Sequence, residues 1–394
     1  MNNISDVKSA CVGCFACRNI CPKNAIERKP DKEGFLYPVV NTELCVDCGA
    51  CLNVCPALAE QDNRDNRIEC YYGASKDEGL VAKSSSGGAF SVLAERKLEG
   101  NGIVYGAIFD KDTKSIVYSD TDCSSMDAIR KSKYVASDTR DVFHSVKEHL
   151  KKGRKVLFCG LPCHVDGLRL YLAKATNTEN LITVDFICGG TASPEFFKIH
   201  LNNLESKFGG HVSNVDFRAK LYGWKTHSIK ITFDNGKEYK NEAMYDLFFK
   251  GYFEKTYQRD SCYKCKYRLH HYADLTIADY WGGLLRNIQN DKGLSMVIAN
   301  TDKGRLFLNQ VFDDGNSGFV HMPVENSDYA FKSEKERYDN AFIKKSEFYA
   351  LFEKYGFKKT AKKMYLPHVK LLKLKNTLSR FKAKLKAYSS PTKG

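Results

Sequence analysis

The sequence lacks the long apolar runs and the export-type N-terminus that direct a chain into or across a membrane. No apolar run in its 394 residues approaches the roughly 18 residues that suggest a membrane-spanning helix. The first residues, MNNISDVKSACVG, contain neither an apolar core nor a cleavage site of a secretory signal. We therefore expect a cytoplasmic protein, in a reducing compartment where cysteines remain available to bind metal.

Several common functional arrangements are also missing. No Ser–His–Asp or paired-carboxylate pattern stands out, which disfavours hydrolytic chemistry. Basic residues outnumber acidic ones, 61 to 47, for a net charge of +14. No recognised nucleic-acid-binding module accompanies this charge, so we expect no nucleic-acid partner.

Cysteine, in contrast, is abundant, and eight of the 15 cysteines form two runs with one spacing. Each run has the pattern Cys-x2-Cys-x2-Cys-x3-Cys-Pro, and the second repeats the first after 34 residues (45 − 11 = 34). In two-cluster bacterial ferredoxins, three cysteines of one run and the last cysteine of the other bind each 4Fe-4S cluster. A zinc site needs only four ligands and would leave cysteines surplus. We expect one cluster on Cys11, Cys14, Cys17 and Cys55, and a second on Cys21, Cys45, Cys48 and Cys51.

Beyond a charged linker at residues 60–67, strand and helix patterns alternate. This alternation favours an α/β (α+β) fold in which helices cover a mixed sheet. Strands are predicted at Ile68–Ala74, Gly102–Asp110, Ser115–Asp120, Lys155–Cys159 and Leu181–Cys188. Helices are predicted at Ala89–Leu98, Asp141–Gly153 and Pro194–Phe208.

A serine–glycine stretch, Ser84–Gly88, lies between a predicted strand and a predicted helix. Its glycines and hydroxyls could cradle a phosphate at the helix N-terminus. Equally, a serine could cap the helix while the glycines only turn the chain. The stretch lacks a Walker lysine and does not fit GxGxxG, so the sequence identifies no nucleotide cofactor.

Seven cysteines lie outside the two runs. Four of them could bind a third cluster, although a zinc site or free thiols are alternatives: Cys163, Cys188, Cys262 and Cys265. Cys70 and Cys123 are expected to be core cysteines, and Cys159 is either a core residue or part of a site at the end of its strand. The neighbouring His270 and His271 could be ligands, but we expect them to be surface residues.

Five segments, in this order, resemble the beta subunit of coenzyme F420-reducing hydrogenase and its relatives. They are KSSSGGAFS, RKSKYVASD, VLFCGLPCHVDGLRLYL, VDFICGGTASPEFF and SCYKCKYRLHHYADLTIADYWG. The resemblance implies FAD beside an iron–sulfur cluster, with electrons passing between clusters and a two-electron acceptor. Relatives include F420 hydrogenase and dehydrogenase subunits and reductases of chlorophyll-type pigments, and others accompany polysaccharide-synthesis enzymes.

Carried onto this chain, the resemblance assigns FAD contacts to Ser85, Ser86, Gly87, Gly88, Lys133 and Tyr134. It assigns the third 4Fe-4S cluster to the four cysteines named above, Cys163, Cys188, Cys262 and Cys265. The chain departs from the family at Gly189–Gly190, where a histidine–glycine pair is usual, and at Ala278, where glycine often precedes the aspartate. The substrate is therefore not identified by the resemblance.

We accordingly expect three parts. Residues 1–60 would form a ferredoxin domain, residues 61–330 the FAD and iron–sulfur domain, and residues 331–394 a basic helical tail. From Lys354 to Gly394 the chain has thirteen Lys or Arg and no acidic residue, which leaves about +1 for the rest (14 − 13). Apolar residues recur at helical spacing in this tail, at Leu371, Leu374, Leu378, Phe381, Leu385 and Tyr388.

Three roles for the tail remain open: peripheral contact with anionic lipid at the inner membrane face, docking of an acidic electron donor, or packing on the body.

The whole pattern predicts an iron–sulfur flavoprotein oxidoreductase. Its electrons would be exchanged with ferredoxin or another carrier protein, and a small molecule, F420-type or otherwise, would accept them. The alternative is an electron-transfer subunit that has no substrate of its own.

Overall fold

The structure, a computed structural model, describes residues 3–60, 65–122, 125–173, 177–281, 291–312, 317–335 and 341–389. Half of the charged linker, residues 61–64, and the expected core residue Cys123 lie outside these ranges. The side chains of Phe381, Leu385 and Tyr388 are not described either. Among the helices that the structure describes, none is long and apolar enough to cross a membrane.

Strands and helices alternate along the described chain, as predicted. The strands are β1 (Ile26–Pro30), β2 (Leu36–Val40), β3 (Glu69–Gly73), β4 (Ile103–Asp110), β5 (Ser115–Thr121), β6 (Ser137–Asp138), β7 (Val156–Cys159), β8 (Leu181–Phe186), β9 (Val212–Asp216), β10 (Ser228–Phe233), β11 (Glu238–Glu242), β12 (Leu275–Asp279), β13 (Ser295–Ala299) and β14 (Phe319–Met322). The helices are α1 (Ala16–Ile20), α2 (Ala50–Asn53), α3 (Glu78–Ala82), α4 (Ala89–Leu98), α5 (Met126–Ile129), α6 (Val142–Lys151), α7 (Pro162–Leu172), α8 (Pro194–Phe208), α9 (Leu247–Phe253), α10 (Asp260–Tyr263), α11 (Asp302–Phe312), α12 (Asp328–Lys335) and α13 (Ala341–Ser389). Short 3₁₀ helices span Ile4–Ala10, Ala243–Tyr245, Lys266–Arg268 and Val324–Ser327.

Residues 3–60 form a small ferredoxin-like unit. Strands β1 and β2 pair antiparallel, from Ile26 opposite Val40 to Pro30 opposite Leu36. The turns that carry the cysteines stand at one side of this hairpin, where Ile4, Val7 and Ile26 pack against cysteine side chains. So small a core buries little apolar surface, and metal ligation is the usual additional stabiliser of such a unit.

A mixed sheet of nine described strands, in the order β14-β3-β13-β12-β8-β7-β4-β5-β6, dominates the rest. Its centre, β12-β8-β7-β4, is parallel, whereas β13, β3 and β14 pair antiparallel on one side. Alternate residues of one strand face opposite layers: Val104 packs beneath α4 and α11, while Ile103 packs beneath α6 and α7. Both faces of the sheet are thus covered, as the predicted α/β fold requires.

A second sheet, β11-β10-β9, is antiparallel and was not foreseen from the sequence. It shares a large aromatic core with α8, α9 and α13, in which Phe196, Phe248 and Phe348 are fully buried. Helix α8 has the predicted bounds because its ends are encoded locally. Ser193 accepts a hydrogen bond from the Phe196 amide, and Gly209 ends the helix at φ +70°.

The C-terminal helix α13 is long, as predicted, but it is interrupted at Gly356, where φ is +70°. Its early residues, including Phe357 and Tyr365, are buried on the body. Farther along, Leu371, Leu374 and Leu378 are 51%, 58% and 52% exposed. This part of the apolar stripe therefore does not pack on the body, so the structure argues against packing on the body as the role of the stripe.

Candidate iron–sulfur and flavin sites

Cysteines from both runs meet at a first pocket in the N-terminal unit. Its lining includes the thiols of Cys11, Cys14, Cys17 and Cys55, and its volume is about 310 Å³. Burial, followed by the charges of Cys11 and Cys55, raises the pKa of the Cys14 thiol far above its ordinary value. Iron would relieve this cost, because a ligating thiol is deprotonated by the metal. The donor set and its setting therefore fit a 4Fe-4S cluster; we call these four residues the inner quartet.

A second pocket, of about 450 Å³, is lined by the complementary four cysteines. These are Cys21, Cys45, Cys48 and Cys51, which we call the outer quartet. Cys48 is exposed, whereas every member of the inner quartet is buried or half-buried. The Ala25 amide donates a hydrogen bond to Cys21 Sγ at 3.3 Å, a type of contact that tunes cluster potentials. The structure thus brings together both cysteine sets expected from the spacing, each with the last cysteine of the opposite run.

The two cysteine loops repeat in backbone conformation as well as in sequence. Gly13 and Asp47, 34 residues apart, have φ of +74° and +50°, and Phe15 and Gly49, also 34 apart, have φ of +55° and +70°. Helices α1 and α2 begin at the equivalent residues Ala16 and Ala50. Left-handed residues of this kind turn successive cysteines toward one point, which wraps each run around its pocket.

Among the described residues, no group of three or more His, Cys, Asp or Glu side chains converges as around a single metal ion. One zinc ion would hold its thiolates at about 2.3 Å from a common centre. A cubane distributes its four thiolates over four irons, so its ligands stand farther apart.

The four cysteines of the suggested third cluster also come together from distant parts of the chain. Cys163 lies in the first turn of α7, Cys188 follows β8, Cys262 lies on α10, and Cys265 precedes the 3₁₀ helix Lys266–Arg268. Burial, and then the charges of Cys265, Cys188 and Cys262, raise the pKa of Cys163 well above its ordinary value. Such mutual interaction requires proximity. The four residues, the body quartet, therefore offer a third set of soft ligands.

Helix α7 connects the body quartet with the inner quartet. A Cβ added to Gly167 would lie 2.7 Å from Cys14 Sγ, so the helix backbone packs directly on that sulfur. Cys163 is one turn earlier on the same helix, and the charge of Cys14 contributes to its raised pKa. The inner quartet thus lies against the helix that also carries Cys163 of the body quartet.

The serine–glycine loop is packed more tightly into the protein than the phosphate-cradle interpretation implies. The Ser86 hydroxyl donates to the Leu294 carbonyl at 2.5 Å, and the Gly87 amide donates to the Ser295 hydroxyl at 2.9 Å. A Cβ on Gly87 would stand 2.4 Å from the Gly73 carbonyl oxygen, which alone explains this glycine. No side chain caps α4, so the expectation of a capping serine is wrong, but Gly88 at φ +92° turns the chain into the helix, as that alternative also expected.

Lys133 and Tyr134, the other expected flavin contacts, are half-buried, and both contact other parts of the protein. The Lys133 ammonium donates to four carbonyl oxygens at 2.7–3.1 Å, those of Ala128, Ile129, Arg130 and Lys131. Tyr134 packs against rings of the second sheet and α9, among them Phe217 and Phe249. Their role toward FAD remains a prediction.

Three cations beneath the serine–glycine loop were missed by sequence reasoning. Lys220 donates to the Ser86 carbonyl at 2.8 Å, and burial, then Lys131 and Arg218, lower its pKa to about 8. Lys131 pairs with Asp216 and Arg218 with Asp279 (2.5 and 3.0 Å), which leaves one excess positive charge in this group of five. Such a charge beside the loop fits a phosphate group. In the sequence, only the alternation of Arg218 and Lys220 after β9 could have indicated this group of cations.

Other expectations have mixed outcomes. Cys70 is a fully buried core residue, as expected. Cys159 is half-buried, and burial followed by Asp185 raises its pKa to about 12. The expectation of a surface position for His271 is wrong, because it is 4% exposed and its Nδ1 lies 2.8 Å from Asp185. The residues that adjoin His271 in the sequence did not indicate that it pairs with Asp185.

Two stretches of the chain match known protein families. Residues 10–59 match the 4Fe-4S dicluster domain, and residues 153–322 match the family described as the C terminus of the coenzyme F420 hydrogenase/dehydrogenase beta subunit. No curated protein matches the chain. A chain of the xenon-derivatised F420-reducing NiFe hydrogenase complex from Methanosarcina barkeri is similar, with a TM-score of 0.49 and 17% identity, over 72% of this chain and 93% of that one.

Proposed function

We propose that this chain, with a 4Fe-4S dicluster domain at residues 10–59 and a coenzyme F420 hydrogenase/dehydrogenase beta-subunit domain at residues 153–322, is an iron–sulfur flavoprotein oxidoreductase. The clusters supply single-electron transfer, and FAD links it to two-electron reduction of a small acceptor. An F420-type molecule or the substrate of a ferredoxin-dependent reductase is the proposed acceptor class. The contact between Cys14 and α7 is the observation that carries the proposal.

This contact supports a continuous route for electrons. A separate ferredoxin domain on a flexible linker would not need a glycine on the partner helix. Here Gly167 admits the Cys14 sulfur, and Cys163 of the body quartet lies one turn away. We therefore propose that the body quartet binds a third 4Fe-4S cluster next to the inner one.

The flavin would lie where the serine–glycine loop meets the cations beneath it. Ser85 is the loop serine whose hydroxyl is partly solvent-accessible, and it accepts a hydrogen bond from the Ser132 amide at 2.9 Å. With Ser86 and Gly87 engaged internally, the loop backbone and Lys220 supply a rigid, positively charged support for the FAD phosphates. The residues thus bind and orient the cofactor.

The outer quartet is the proposed point of exchange with ferredoxin or another carrier protein. Cys48 is exposed, and the nearby Leu44 and Val46 are 51% and 56% exposed. A small apolar patch beside an accessible cluster is typical of the weak, transient contacts of redox partners. Electrons can be exchanged at this patch whether they flow into the chain or out of it.

Cofactor analysis after anaerobic reconstitution tests the proposal. Three clusters correspond to about 12 irons per chain, and the ferredoxin domain alone to about eight. We expect the C163S and C265S variants to lose about four irons each, while the matched core variant C70S retains all of them. FAD should be released by heat. Iron content of about eight in both the wild type and C163S, or a chain without flavin, would contradict the proposal.

The second candidate function is an electron-transfer subunit with no substrate of its own, which is compatible with the exposed Cys48 as well. The two functions differ in what the purified chain can do alone. A reductase reduces its acceptor with dithionite-reduced ferredoxin as donor, whereas a relay reduces only a partner enzyme. Reduction of F420 or another flavin-like acceptor by the isolated holoprotein would support the first function.

For the C-terminal tail we propose peripheral contact with the inner face of the membrane. Leu371, Leu374 and Leu378 form an exposed stripe, and Lys370 and Lys375 beside it are also exposed. The helix is held from the opposite side, where Asn376 donates to the Tyr245 hydroxyl at 2.7 Å. An apolar stripe rimmed by lysines suits an anionic lipid surface. Salt-sensitive flotation with anionic vesicles should be lost when the three leucines are replaced by serine; unchanged flotation would contradict the contact.

A further inference from the structure

One arginine joins the ferredoxin domain to the body at the inner quartet. Arg259 is only 4% exposed. Its guanidinium donates to the carbonyl oxygens of Cys11 (2.7 Å) and Leu36 (2.9 Å), and it stacks on the Tyr37 ring at 4.2 Å. It also donates toward Cys11 Sγ at 3.5 Å. The side chain thus reaches from the body into the loop that carries the first cysteine.

The N-terminal domain is shaped to receive this side chain. A Cβ on Gly13 would stand 3.0 Å from a guanidinium nitrogen of Arg259, so a larger residue there would push the arginine away. Gly13 also has φ +74°, which favours glycine independently. The position therefore suits glycine for two reasons, and one of them is the arginine.

The backbone of Arg259 also belongs to the body quartet. It is the residue before α10, and its carbonyl oxygen accepts a hydrogen bond from the Cys262 amide at 2.9 Å. Its own amide donates to the Thr191 carbonyl at 3.3 Å, and the Thr191 hydroxyl lies 3.9 Å from Cys262 Sγ. One residue is thus fixed to a cysteine of each quartet.

The positive charge of Arg259 is buried beside sulfur: the residue is 4% exposed and its guanidinium donates toward Cys11 Sγ at 3.5 Å. The neighbouring carboxylate, Asp260, is paired with Lys345 at 2.7 Å. A cluster on the inner quartet would therefore have this buried cation as its partner.

We propose that Arg259 is a positioning residue that raises the reduction potential of the inner cluster and holds it against the body quartet. The inference rests on the proposed function, which requires clusters at these sites. Reduction adds a negative charge to a cluster, so a buried cation and an N–H donor close to a ligating sulfur stabilise the reduced form. Loss of the cation makes reduction harder and lowers the potential.

The test is a potentiometric titration followed by EPR on the reconstituted full chain. For R259Q we expect the inner-cluster midpoint to fall by at least the equivalent of tenfold in the reduction equilibrium, which is 59 mV for one electron. The outer cluster should keep its midpoint. R259K should show a smaller fall, because lysine keeps the positive charge but lacks the planar fork of donors that the guanidinium presents.

The control is R67Q, which removes another largely buried arginine, paired with Asp65 and Asp328, and should leave both midpoints unchanged. Unchanged midpoints in both Arg259 variants, or an equal fall in R67Q, would overturn the proposal. If R259Q does not fold, R259K decides: a lowered midpoint supports the role and an unchanged one refutes it. Absence of cluster signals from the wild type would instead refute the proposed function.

Discussion

The contact between Gly167 and Cys14 gives a sharp test of how the domains are joined. Replacing Gly167 with alanine places a methyl group 2.7 Å from Cys14 Sγ and 3.0 Å from its Cβ. Cys14 cannot move away freely, because it is 5% exposed and is a proposed cluster ligand. Overpacking of this kind costs about 1–3 kcal/mol. Alanine is better than glycine within a helix by about 1 kcal/mol, so a net loss of up to about 2 kcal/mol is expected.

Gly79 provides the matched control. It lies in α3, is exposed, and an added Cβ would meet only the Asp77 carboxylate oxygen at 3.2 Å. G79A should therefore be neutral or stabilising by up to about 1 kcal/mol. The same substitution is expected to have opposite effects in the two helices.

Urea unfolding of the reconstituted protein measures both effects, and EPR reports on the clusters. G167A should lower the unfolding free energy and change the signal of the inner cluster, while the outer cluster signal stays the same. If G167A is as stable as G79A and its inner-cluster signal matches the wild type, the close packing of α7 on Cys14 is refuted.

Three further predictions concern other parts of the chain. Ferricyanide should bleach the outer cluster before the inner one, because Cys48 is exposed and Cys14 is buried; equal rates by EPR would argue against this order. F348A should lower the free energy of unfolding by about 3–5 kcal/mol, because Phe348 is fully buried. L374A, at an exposed position, should change it by less than about 0.5 kcal/mol. Similar losses in the two variants, measured by thermal unfolding, would contradict the packing of α13 described above. Burial, then Lys303 and Lys155, lower the pKa of Lys97 to about 8. Between about pH 8 and the ordinary lysine pKa of about 10.4, the unfolded chain binds more protons than the folded one, so the free energy of unfolding should rise with pH. The K97M variant should lack that rise. A rise of equal size in K97M would contradict the prediction.

The cysteine runs illustrate what a sequence can determine locally. The 34-residue repeat predicted which four cysteines meet at each pocket, and the backbone repeats with it at Gly13 and Asp47. Helix ends were predictable for the same reason: Ser193 and Gly209 act within a few residues of α8. In each case the controlling interactions span a short stretch of chain.

The contacts between parts of the chain could not be predicted in this way. Arg259 and Cys11 are 248 residues apart, and Lys220 and Ser86 are 134 apart. Nothing in either local pattern identifies the partner, because the pairing depends on how sheets and helices pack. The exposed leucines of α13 show the same limit: helical spacing predicted an apolar stripe, but only packing against Tyr245 determined which side faces solvent.

The amino-acid pattern was thus enough to predict the two interlocked cysteine runs and several of the strands and helices, since these follow from spacing and local hydrogen bonding. Three features became visible only in the folded molecule: the packing of the inner quartet against the body, the position of Arg259 beside it, and the group of cations under the serine–glycine loop. Those features arise from burying distant segments together, where shape and charge must match across the whole fold.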